Sequence, residues 1–102
     1  MDKSLKSYTI SPEQIRLMHH ALGISKVAPK NKRINKVWTQ VIEHHRNYYD
    51  NGVGTNPYWE SLLDQGLASV EIRGSNTVYS VSDEGIEFVG HMLGAKVVDK
   101  YG

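Results

Sequence analysis

Cysteine is absent from the chain, which excludes a disulfide frame and a thiolate metal site. No apolar run approaches the roughly 18 residues that a membrane span needs, so no membrane partner is expected. The opening MDKSLKSYTI lacks the apolar core of a signal peptide. Internal repeats and low-complexity tracts are missing too. Hydrophobic residues make up 39% of the chain, below the globular average of about 45–50%. That average counts glycine, and nine glycines lie outside the 39%, so the deficit is small. These absences point to a cytoplasmic protein.

The 102 residues suffice for one compact domain and not for two. A polar arm is expected over 1–10, a single domain over 11–95 and a fraying tail over 96–102. Net charge is only +1, yet it is unevenly spread. Residues 1–36 carry eight basic and two acidic side chains, and residues 37–102 carry four basic and nine acidic ones. Such asymmetry marks a nucleic-acid-facing end, or two halves that attract each other or a second copy in a homodimer.

Helix signals recur along the chain. Ser11, Pro12 and Gln14 form a capping box with proline at the first helical position. Ile15, Met18, His19 and Leu22 follow on one face, and Gly23 stops the helix. The basic segment ISKVAPKNKR reads as a connecting loop. A second helix is expected through Ile34, Val37, Trp38, Val41, Ile42 and His45, spaced by three and four. Asn56-Pro57 opens a third, which Gly66-Leu67 closes as a Schellman stop. Val70 and Ile72 alternate in a strand, RGSNT turns, and 78–81 return. Ser82 caps a last helix with Ile86, Val89 and Leu93 in one stripe. The expected fold is mainly α with one β-hairpin, winged helix-like, in the order ααα-ββ-α.

The pattern Leu-x-x-x-Gly-Leu, hairpin, Tyr-x-Val-Ser-x-x-Gly (Leu62 or Leu63, Gly66, Leu67, Tyr79, Val81, Ser82, Gly85) resembles winged-helix proteins in general. The stretch HRNYYDNGVGTNPYWESLLDQGL, residues 45–67, resembles small phage and prophage proteins with an Arg-Asn-aromatic-aromatic run. That group has no settled function. The resemblance implies a mobile-element origin and a winged-helix-like fold, and no mechanism.

Two functional readings follow. In the first, the chain is a small DNA-binding regulator of double-stranded DNA. A helix-turn-helix would read bases with the helix before the wing, but that helix offers Tyr58, Trp59, Glu60 and Ser61 and no basic side chain. The nucleic-acid contacts are therefore assigned to Lys26, Lys30, Lys32, Arg33 and Lys36 of the basic segment. Arg73 and Asn76 of the wing complete the set. About four or five neutralised phosphates would give salt-sensitive binding. The bland alternative is a solvated loop, with GSN simply a good hairpin turn. In the second reading the chain is a protein-binding accessory module that inhibits or modulates a host or phage complex. Its contact surface would be Tyr49, Tyr58, Trp59 and Glu60, since exposed Tyr and Trp anchor interfaces.

Catalysis is unmotivated, and no cofactor is expected. No nucleophile elbow or phosphate loop occurs. The five histidines (His19, His20, His44, His45, His91) lack metal-ligand spacing, because adjacent helical residues point about 100° apart.

Overall fold

The computed structural model describes residues 7–25 and 27–101. Its elements are α1 (Pro12–Leu22), β1 (Lys30–Ile34), β2 (Val37–His44), β3 (Tyr49–Asp50), α2 (Pro57–Asp64), β4 (Ala68–Arg73), β5 (Asn76–Val81), α3 (Asp83–Leu93) and β6 (Lys96–Asp99). The strands form two three-stranded sheets, in the orders β1-β2-β6 and β3-β5-β4. The fold is α+β with helix and strand in about equal parts. It is not the mainly α, winged helix-like ααα-ββ-α order expected from the sequence.

The element that overturns that expectation is the second helix. Residues 30–44 form an antiparallel hairpin instead, with β1 on β2 in the register Lys30↔Val41 to Ile34↔Val37. The composition explains the difference. Val37, Thr39, Val41 and Ile42 are β-branched, and such side chains lose rotamer freedom in a helix but pack well on a pleated surface. Asn35 and Lys36 join the strands with φ of 50° and 65°. A two-residue turn matching the strand twist needs two positive φ angles, and Asn tolerates one readily. The end of the basic segment, from Lys30 to Arg33, is therefore strand rather than loop. Because β3, not a helix, precedes α2, there is no helix-turn-helix. Residues 96–99, placed in a fraying tail, form β6, which pairs in parallel with β2 from Val41↔Lys96 to His44↔Asp99.

Where caps and turn residues set the local structure, sequence and structure agree. The Ser11–Gln14 capping box is formed in both directions. Asn56 Oδ1 accepts from the Tyr58 and Trp59 backbone N–H groups. At the end of α2, Leu67 N–H donates to Leu62 O and Gly66 N–H to Leu63 O, the paired bonds of a Schellman stop. The hairpin of β4 and β5 stands where the alternation put it. On α1 the buried face is Gln14, Leu17, Met18, Ala21 and Leu22. That face is rotated from the expected one, leaving Ile15 and His19 half-buried.

One core joins both sheets and all three helices. It includes Met18, Leu22, Ile42, Trp59, Leu62, Leu67, Tyr79, Val89 and Val97. The Trp59 ring stacks on Tyr79 at 5.5 Å between centroids with 9° between planes, and Tyr49 lies 5.7 Å from it on a tilt. Tyr79 Oη donates to Glu60 (2.7 Å) and accepts from Asn56 N–H (3.0 Å). Asn47 acts as a one-residue strand: its Nδ2 donates to Val81 O at 2.8 Å and its Oδ1 accepts from Val81 N–H at 2.7 Å. Arg46 donates to the His20 carbonyl at the end of α1. Gly85 lets α3 press on the start of β4: a Cβ there would lie 2.1 Å from Leu67 O. The extents are 46 × 31 × 22 Å and the radius of gyration is 14.2 Å. A compact domain of this length has about 13 Å, in keeping with a projecting ribbon.

Candidate nucleic-acid interface

The ribbon of β1 and β2 carries most of the basic candidates. β1 is exposed from Lys30 to Arg33, and β2 is exposed at Val37, Trp38 and Gln40. Side chains directly opposite in an antiparallel pair share a face. Lys30, Lys32 and Ile34 therefore lie on one face with Val37, Thr39 and Val41. Asn31 and Arg33 lie on the other with Trp38 and Gln40.

The two faces differ electrostatically. On the first, Lys30 Nζ lies 2.9 Å from one oxygen of Glu43, and Lys32 Nζ lies 3.5 Å from the other. The Lys30 hydrogen bond and charge, with the weaker help of Lys32, hold the Glu43 carboxyl below its usual range. Two ammonium groups are thus gathered on one carboxylate. On the second face and at the turn, Arg33 and Lys36 pair with no acid among the described residues. Lys26 lies outside the described residues.

Trp38 is the feature sequence reasoning missed. As part of an amphipathic helix it counted as core, yet the residue is 67% exposed. The pair flanking a two-residue turn exchanges backbone hydrogen bonds and the next pair does not. Arg33 and Trp38 are that next pair, where strands approach most closely and side chains meet. Gln40 Nε2 donates to Asn31 Oδ1 across the strands at 2.8 Å. The readable signal was Asn-Lys followed by a run rich in β-branched residues.

Beside Trp38 the ribbon borders an open groove of about 790 Å³. Thr39 and Gln40 continue its ribbon wall, and Ile86, Glu87, His91 and Lys96 are on the wall formed by α3 and β6. β6 begins opposite Val41, so the β2 edge at Trp38 has no strand beside it.

The remaining candidates lie elsewhere. Arg73 and Asn76 are on the second sheet, at the end of the β4–β5 hairpin. Arg73 donates to Glu71 at 3.0 Å, which raises its pKa, and Asn76 donates to Asp50 at 3.3 Å. Each gives one donor to an acid. The four aromatic and acidic candidates do not form one exposed surface. Trp59 is fully buried, Tyr49 is half-buried in ring contacts with Trp59 and His20, and Glu60 is held by Tyr79. Only Tyr58, at 46%, is well exposed.

Among the described residues no three His, Asp or Glu side chains gather as a metal site, and no helix is long and apolar enough to cross a membrane. In comparison with known proteins the chain matches no family model, no curated protein and no solved structure.

Proposed function

We propose that the protein is a small DNA-binding regulator, cytoplasmic and of phage type, that engages double-stranded DNA through the β1–β2 ribbon. The observation that carries this reading is the ribbon itself, exposed on both faces and bearing Lys30, Lys32, Arg33 and Lys36 along one strand and its turn. A two-stranded ribbon fits the major groove, and β-ribbon readers use this mode. The contacts here do not depend on a helix-turn-helix. Arg73 and Asn76 lie on the other sheet, at the end of the β4–β5 hairpin, and this reading does not require them.

The test is fluorescence anisotropy of a labelled random duplex at two salt concentrations. Four phosphate contacts give a slope of log K against log salt of about −3 to −4. Replacing Arg33 and Lys36 together with Ala should cut that slope by about 2. An unchanged slope would place the contacts elsewhere, and absence of binding at low salt would remove the DNA reading.

A further inference from the structure

We infer that the groove between the ribbon and α3–β6 is a pocket for an unpaired nucleobase, so that the protein prefers DNA with a gap or bulge over an intact duplex. The inference rests on the ribbon being a nucleic-acid surface and names what that surface selects.

Three observations carry it. Trp38, a residue 67% exposed, lines the groove, and an exposed indole is a stacking platform that any base can use. Arg33 stands opposite Trp38 in the ribbon register, with no acid partner among the described residues. It is placed to meet the phosphate of a base stacked on that ring. The groove is also lined by Gln40, Glu87, His91 and Lys96, groups that hydrogen-bond the polar edge of a base. Gln40 spends one amide proton on Asn31 and keeps its carbonyl oxygen. Such a flat apolar platform among amide, carboxylate, imidazole and ammonium groups suits a planar heterocycle better than an apolar helix. A paired base cannot reach it, since its faces are stacked and its edge is bonded. An unpaired base reaches it at little unstacking cost.

The second copy is the competing occupant, because the basic ribbon and the acidic first turn of α3 (Asp83, Glu84) have opposite charge. It is an outcome of the same experiment. The probes are an intact 30-base-pair duplex and the same duplex with a three-nucleotide gap, titrated by anisotropy and by tryptophan fluorescence. The gapped probe should bind tighter and quench the exposed Trp38, leaving the buried Trp59 emission in place. Trp38→Ala should weaken gapped-probe binding by about 5- to 150-fold, the range that base–aromatic stacking supports. Intact-duplex affinity should fall less than gapped-probe affinity, so that the preference is lost, the phosphate contacts being untouched. Trp38→Phe, which keeps a stacking ring, should restore most of the preference. Trp38 is largely exposed at the far end of the ribbon, so these variants keep the core.

Equal binding of both probes, or a preference that survives Trp38→Ala, overturns the inference and leaves the duplex reading standing. Binding of neither probe overturns both. A concentration-dependent dimer that quenches Trp38 without DNA assigns the groove to a second copy and overturns the inference.

Discussion

Glu43 is the side chain that sets how much of the ribbon's charge is available. It engages Lys30 and Lys32 at once, so a phosphate must compete with it for both ammonium groups. Glu43→Gln should tighten duplex binding several-fold at low salt, since Lys30 and Lys32 then meet phosphate without that competitor. Unchanged affinity would mean that Lys30 and Lys32 stay out of the contact. His19 acts on stability instead. Burial holds its pKa below the usual histidine value of about 6.5, and its Nε2 is buried without a hydrogen-bond partner. The unfolded chain therefore takes up the proton first as pH falls. The stability this neutral ring permits is complete above pH ~6.5 and is lost as pH drops through the lowered folded value. Thermal melts at pH 7.5 and pH 5 should show the loss in the parent, and a smaller one in His19→Leu. Equal losses in the two would show that another group governs the acid side.

The turn at Asn35 and Lys36 controls the ribbon as an element. Both residues have positive φ, which a β-branched residue resists strongly. Asn35→Val should disturb the ribbon tip and cost at least ten-fold in duplex affinity. The melting temperature should fall by only a few degrees, since the turn lies outside the core. A normal affinity would show that the tip is not part of the interface. This same element marks where the sequence was legible. The caps at Ser11, Asn56 and Ser82 and the stops at Gly23 and Gly66 are local devices that a few residues specify, and each is found in place. The β1–β2 strands are not local in that sense. Ile34, Val37, Trp38, Val41 and Ile42 satisfy helical spacing and do not alternate, and pairing between strands overrides that spacing. β6 was invisible because its partner lies some fifty residues earlier in the chain. For the candidate site, the basic cluster was legible as charge. The Trp38 platform was not, because exposure depends on where a strand ends in space.

At the scale of the whole molecule, the two sheets share one core through Ile42, Val97, Trp59 and Tyr79. They should unfold together. Far-ultraviolet circular dichroism and the emission of the buried Trp59 should give coincident thermal transitions. Two separated transitions would show that the sheets are independent units. Asn47→Ala offers a second view, because its side chain bridges the segment after β2 to Val81 of the other sheet. Truncation leaves the Val81 N–H and C=O without those partners, at a cost of about 1–3 kcal/mol, and should lower both signals equally.

The parallel pairing of β6 with β2 also has a consequence in time. Some fifty residues separate His44 from Lys96, and ribosomes add about 5–20 residues per second. A nascent chain therefore holds the ribbon without its supporting strand for about 3–10 s. Throughout that interval the inner edge of β2 is open to any other strand that meets it.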